Sequence, residues 1–385
     1  MSAKFVFDLR KSFDIEKKLL LYCGFYPNRG EMNKYLYYLS GFYHLSVSIL
    51  IQLSMTVLIV LHITNLSTIA EALMFFVTQT AFMWKLANII IKRELLSKIE
   101  EILSNPIFYN LSDGHLELIT DYLASTKRFA TLYRIICFMV CTTNVILQLV
   151  GSKLGHAMLL GWNPWEIDSR IKYYLNCTFQ LNAFCVSAYL NSTIDILIAV
   201  LITVATAQIE ILKSNLSNIQ YNTADAKKKF NDNVLLHYEI LRFVSAIEDT
   251  FSVGILIQIF ASVLVICFTG FQMLIVSQES IQFVSLFLYF MCMMAQVAMY
   301  CWFGHYLIAS SDAINQSVYM SNWYESDISL KRSIIIFMER SKKPIILRAG
   351  NMFPLSLVTF TSVIRSSYSY FAVLNRLYDP DIGKL

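Results

Sequence analysis

Residues 251–276 read FSVGILIQIFASVLVICFTGFQMLIV, a stretch without a single Asp, Glu, Lys or Arg. About 20 apolar residues suffice to cross the hydrocarbon of a bilayer, so the stretch predicts a transmembrane helix. Comparable runs lie near 39–63, 69–91, 129–150, 176–208, 281–308 and 353–377, which makes seven predicted spans. Of the 385 residues, 56% are apolar and only 15% charged, and the mean hydropathy is +0.53. A soluble globule of that size would expose far too much hydrocarbon, so the solvent is a membrane.

No cleavable leader is expected, because residues 1–38 are peppered with charge and the short run LLLYCGFYP is badly flanked. The first span then acts as an uncleaved anchor. The eight cysteines fall almost entirely inside the runs, with no paired set in a loop, and read as packing residues.

Basic residues segregate by loop. The N-terminal stretch and the second, fourth and sixth loops are rich in Lys and Arg, for example Lys92, Arg93, Lys227 to Lys229, Lys342 and Lys343. The first and fifth loops have none, and the third has Lys153, Arg170 and Lys172. The positive-inside rule therefore puts the N-terminus in the cytoplasm, and seven crossings put the C-terminus outside. That is the reverse of a G-protein-coupled receptor, so the span count is no evidence for G-protein coupling.

Loop two carries KRELLSKIEEILSNP, with Leu95, Leu96, Ile99, Ile102 and Leu103 on one helical face before Pro106. Loop six, DISLKRSIIIFMERSKKPIILRAG, places Leu330, Ile334, Phe337 and Met338 on one stripe and is too polar to span. It reads as a helix lying on the membrane surface or packed on a partner subunit. The fold class expected is an all-α membrane protein of seven transmembrane helices, with helical extensions gathered into a cytoplasmic bundle.

In the last run, Ser362, Ser366, Ser369, Val373 and Leu377 follow spacings of four, three, four and four and share one helical face. Serines lining water can replace part of an ion's hydration shell, and Val373 and Leu377 could close such a path by dewetting. Alternatively, each serine bonds back to the carbonyl one turn earlier or allows close helix approach. A pore reading requires several copies meeting on an axis. Arg365, beside the stripe, is assigned to the wall side.

The stretch KKPIILRAGNMFPLSLVTFTSVIRSSYSYFAVLN, residues 342–375, resembles the C-terminal signature of insect odorant receptors. The matching elements are Lys343 and Pro344, Ala349 and Gly350, Pro354 to Phe360, Arg365, and Ser367 to Phe371. Gustatory receptors are similar overall but end in a different pattern. The resemblance implies a ligand-gated, non-selective cation channel, a tetramer in which a tuning subunit joins a shared co-receptor. The last helix of each subunit would line the pore, with Val373 and Leu377 at its outer gate. Loop four lacks the co-receptor's long insertion, so the chain looks like a tuning subunit. The implied partners are a volatile odorant, the co-receptor, membrane lipid and permeant monovalent and divalent cations, with no nucleic acid. The implied location is the plasma membrane, in sensory dendrites.

The resemblance also divides the chain. Residues 1–38 form a cytoplasmic segment, 39–308 the first six spans with the ligand bundle, 309–352 a cytoplasmic loop with an anchoring helix, and 353–385 the pore helix and a short external tail. It places the ligand in the outer halves of spans two to six. Candidates there are Phe75, Phe76 and Gln79; Asn144, Val145 and Gln148; Phe179, Asn182 and Phe184; Phe271 and Met273; and Phe283 and Phe287. A volatile would be held mainly by dispersion, with an amide offering one hydrogen bond. The bland alternative is that these aromatics simply pack.

Lys85, Arg134 and Asp195 lie within spans and suggest a buried pair between Asp195 and one of the bases, read as scaffold. The methionines and Cys292 of MCMMAQVAM read as packing, and no metal or cofactor site is expected. No Walker loop, GxSxG or HExxH appears, so no catalytic residues are assigned. A metabotropic receptor and a gustatory-type channel remain the competing functions. A secondary transporter is disfavoured by seven unpaired spans. Asn65, within NLS, is an external glycosylation sequon read as unused.

Overall fold

The computed structural model describes residues 8–61, 66–153, 162, 169–278 and 280–378, with side chains described for all of these but 66–69, 148–153, 170, 377 and 378. Asn65 lies outside the described residues, as do the side chains of Gln148 and Leu377.

Ten α-helices make up the described chain: α1 (Asp14–Tyr22), α2 (Lys34–Leu61), α3 (Leu66–Ile91), α4 (Arg93–Leu103), α5 (Asp113–Lys153), α6 (Arg170–Ser217), α7 (Ala226–Ile275), α8 (Ile281–Tyr319), α9 (Ile328–Ser341) and α10 (Leu357–Tyr378). Among the described residues, α2, α3 and α5 to α8 are long and apolar enough to span. The seventh predicted span is α10, whose 22 residues reach about 33 Å at 1.5 Å per residue, long enough to cross. Its serines, tyrosines and Arg365 keep it out of the more hydropathic set.

The helices outrun the spans. The loop-four pattern NVLLHYEILRFVSAIEDTF is continuous with the fifth span in α7, and α5 begins well before residue 129. These extensions gather with α1, α4 and α9 at one end of the bundle, here called the base.

Helix α6 runs through the middle. From Leu190 to Ile209 every residue is buried, as a helix apolar on all sides must be. α2 and α5 instead turn Phe42, Leu50, Leu53, Leu132, Ile135 and Phe138 outward, a pattern stable only against lipid.

In the base, α4 buries Leu96, Ile99, Ile102 and Leu103, most of the predicted stripe, while Leu95 is half-buried. Glu100 on its inner face accepts from Tyr26 Oη at 2.7 Å and pairs with Lys17 Nζ at 3.0 Å. Burial, with that carboxylate beside it, pushes the Tyr26 phenol well above its ordinary pKa.

The predicted stripe of α9 is present, with Leu330, Ile334 and Phe337 buried and Met338 packed against the core. Its cover comes from the same chain. Phe337 meets the Phe230 ring of α7 edge-on at 5.7 Å and the His237 ring at 5.3 Å. The stripe is thus covered within the chain, and the remaining face, with Ile335 and Ile336, is the exposed one.

Between α9 and α10 a two-stranded hairpin forms, β1 (Arg348–Ala349) antiparallel to β2 (Phe353–Pro354). Gly350 and Asn351 both take positive φ, 57° and 59°, the geometry a type I′ turn demands. The Gly350 N–H donates to Ser252 O of α7 at 2.9 Å, which pins the turn to the bundle. After Pro354 the chain passes over Gly304 of α8, where any Cβ would collide with the Leu355 carbonyl oxygen. α10 then packs on α7 and α8.

Candidate ligand site

Five helices present matched stripes to one internal space. On α3 these are Phe75, Thr78, Gln79 and Phe82; on α5, Tyr133, Cys137 and Val140; on α6, Gln180, Phe184, Ser187, Ala188 and Asn191. α8 adds Tyr289, Cys292, Met293 and Gln296, and α2 closes one side with Ile51 and Met55. Spacings of three and four put each set on one helical face. The space between them is about 60 Å³, several times what one water centre needs. Its walls are ordered by ring contacts: Phe75 meets Phe184 edge-on at 5.6 Å and the Tyr289 ring at 5.4 Å. The Tyr289 hydroxyl is hydrogen-bonded to Thr78 Oγ1.

The end of the cavity nearer the base is polar. Asp195, fully buried on α6, pairs with Lys85 Nζ of α3 at 2.6 Å. Its carboxylate also accepts from Tyr133 Oη at 3.3 Å, from Gln296 Nε2 and from Tyr300 Oη. Lys85 donates further to Asn191 Oδ1 at 2.9 Å, and Gln296 Oε1 accepts from Gln258 Nε2 of α7 at 2.8 Å. Both charges are thus matched and hydrogen-bonded, the condition under which a buried pair is tolerable. The network ties α3, α5, α6, α7 and α8 together under the cavity. Arg134, the other base considered for Asp195, instead holds Glu16 of α1 at 2.7 Å.

Two polar groups in the wall are left over. Gln79 Nε2 and Ser187 Oγ are buried without a hydrogen-bond partner. Such orphaned groups are costly unless something occupies the space beside them.

Of the ligand candidates read from sequence, Phe75, Gln79 and Phe184 line this cavity. The others lie elsewhere. Val145 belongs to a more open crevice of about 650 Å³ between α5 and α6. Asn144 donates to Val140 O at 2.8 Å and to Ser285 Oγ at 3.3 Å; Asn182 Oδ1 accepts from Tyr43 Oη at 3.2 Å. Phe76, Met273 and Phe283 are half-buried, Phe271 is fully buried, and Phe179 and Phe287 are exposed on the outside of the bundle.

Sequence reading missed Tyr133, Ser187, Asn191, Tyr289 and Gln296, which lie deeper than the outer halves. Their signal was present: Gln180, Ser187, Asn191 and Asp195 share one face of α6, polar positions at helical spacing that point at the buried acid.

On α10, Ser362, Ser366, Ser369 and Val373 are all exposed, whereas Val363 and Ser367 are buried against the bundle. Ser362 Oγ donates to Val358 O at 2.9 Å and Ser369 Oγ to Arg365 O at 3.0 Å. The hydroxyls therefore bond back one turn while their oxygens still face outward. Arg365 is exposed beside them.

A bundle of membrane-spanning helices around an apolar cavity over a matched polar floor defines a multi-pass membrane protein with an internal site suited to a small molecule. Comparison with known proteins narrows the class: the family described as "7tm Odorant receptor" matches residues 65–368, and the chain belongs to that family. It is similar to odorant receptor 85b of Drosophila melanogaster, 27% identical over 332 residues, covering 81% of this chain and 80% of that one. Odorant receptor 85c of the same fly is 24% identical over 308 residues, covering 77% of each. The fold is shared with the olfactory receptor OR5 of the insect Machilis hrabei in complex with eugenol: TM-score 0.85 at 14% identity, covering 96% of this chain and 97% of that one. A second structure of the same receptor gives 0.84 at 15% identity, with 96% and 98% covered.

Proposed function

We propose that the chain is the tuning subunit of an odorant-gated cation channel, inserted in the plasma membrane with the base in the cytoplasm. A volatile ligand occupies the cavity between α2, α3, α5, α6 and α8. Copies of α10 from this chain and the shared co-receptor meet on a central axis, and ligand binding favours the arrangement in which they separate. The eugenol complex of the Machilis receptor supports a small-molecule occupant.

The observation that carries the proposal is the double use of α8. Tyr289, Met293 and Gln296 line the cavity, while Gly304, two turns beyond Gln296, is pressed against the segment leading into α10. A ligand that repositions α8 therefore acts directly on the root of α10, and its differential affinity for the two arrangements supplies the energy.

The test is electrical. Cells co-expressing the chain and the co-receptor are patched, membrane is excised into nucleotide-free solution, and a panel of volatiles is applied. Ligand-evoked current persisting in the excised patch is expected; current that needs GTP would establish the metabotropic alternative instead.

A further inference from the structure

The charged groups at the cavity floor are already engaged by one another and by their neighbours. Asp195 accepts from Lys85, Tyr133, Gln296 and Tyr300, and Asn191 Oδ1 receives the Lys85 ammonium. The ammonium and carboxylate cancel, so the floor presents no net charge to an occupant. A cationic amine would enter without a counter-ion, and a carboxylate likewise, each at the cost of its hydration.

Two wall groups remain uncommitted. Gln79 is 7% exposed and Ser187 5% exposed, both line the cavity, and Gln79 Nε2 and Ser187 Oγ lack partners. The Gln79 amide N–H donates, and the Ser187 hydroxyl can donate as well as accept. The rest of the wall is aromatic and aliphatic. Resting on the reading that this cavity is the odorant site, we infer that Gln79 and Ser187 are its specificity-determining residues and select neutral volatiles whose apolar body carries a hydrogen-bond-accepting oxygen, such as a ketone, ester or ether.

The selectivity comes from what a mismatched ligand leaves behind. In the free receptor, water can satisfy Gln79 and Ser187. A hydrocarbon displaces that water and strands the donors. An oxygen-bearing ligand of the same shape replaces the lost bond. Sites built to hydrogen-bond a ligand reject the analogue lacking the group more strongly than apolar pockets reject a missing methylene.

The test uses triples matched in skeleton: methyl ketone, parent hydrocarbon and primary amine, on six- to eight-carbon chains and on a phenyl ring (acetophenone, ethylbenzene, 1-phenylethylamine). Current from the chain co-expressed with the co-receptor is titrated, and in parallel the thermal stabilisation of the purified complex by each compound. Within a responding triple the ketone is expected to act at a concentration lower by about tenfold or more. Gln79→Leu and Ser187→Ala together are expected to narrow that gap to less than about threefold, with the hydrocarbon's own potency held or improved.

A gap that survives both substitutions, or a hydrocarbon or amine equal to the ketone in the unaltered chain, overturns the inference while leaving the channel reading intact. Stabilisation that favours the ketone and depends on Gln79, without any current, upholds the inference and defeats the channel reading. No current and no stabilisation across all triples defeats both.

Discussion

Lys85 and Asp195 sit in a medium that penalises each of them alone. Removing Lys85 strands a carboxylate that three neutral donors cannot neutralise, and breaking a buried pair from one side costs about 3–5 kcal/mol. Lys85→Met is therefore expected to lower the melting temperature of the detergent-solubilised receptor and its level at the cell surface. The double variant Lys85→Met with Asp195→Asn removes both charges and keeps an acceptor for Tyr300, so it is expected to recover most of the loss. Equal damage in the single and double variants would show that the charges are not paired in the working receptor. The sequence already showed that a buried acid needed a base. It left open whether Lys85 or Arg134 supplied it, because that depends on the register between helices far apart in the chain. Arg134 turns towards Glu16 on α1, a partner no local pattern could reveal.

At the level of elements, the stripes on α4 and α9 were legible because amphipathicity reports that a face needs cover. It does not report what covers it: on α9 the cover for Phe337 is Phe230 and His237 of the same chain. The cavity was legible in part for the same reason. Phe75, Gln79 and Phe184 follow from their helical positions, whereas the depth of the site depends on how α5 and α8 converge on Asp195. The crossing of α8 with the entry to α10 was not legible at all, since a lone Gly304 in a span looks like any small residue. The crossing makes a sharp prediction. Gly304→Ala drives a methyl group into the Leu355 carbonyl oxygen. Overpacking of this kind costs about 1–3 kcal/mol. The expected outcome is altered channel opening, read as a shifted ratio of evoked to resting current, with a ligand potency that shifts in the same sense because the two equilibria are linked. Leu355→Ala added to it should not rescue, as the clash is with the carbonyl oxygen and Cβ of Leu355, both of which alanine keeps. Full rescue would place the contact in the leucine side chain instead.

For the whole molecule, the decisive question is what covers the outer face of α10. One side of this helix is buried on α7 and α8, and the other carries Ser362, Arg365, Ser366, Ser369 and Val373 in the open. Lipid is a poor cover: an arginine at the centre of a spanning helix costs about 2.5 to 3.5 kcal/mol on insertion scales. Water, or an equivalent helix across a narrow aqueous path, is the better one, and a single chain cannot enclose it. The hydroxyls of Ser362 and Ser369 bond back to the carbonyls of Val358 and Arg365, which at first favours a purely structural role, yet the same oxygens retain free acceptor capacity towards the path. On the proposed channel reading, Val373, 57% exposed near the end of α10 remote from the base, is the side chain placed to close that path by dewetting. Val373→Ser is expected to raise ligand-independent current several-fold, measured as the resting conductance that channel block removes, while evoked current persists. Val358→Ser, at the other end of the helix and 74% exposed, serves as the control and is expected to leave resting conductance unchanged. Equal leak from both substitutions would mean that added polarity loosens α10 generally. Leak from neither, with normal ligand responses, would move the constriction away from Val373 and return the exposed serines to the role of close-packing residues.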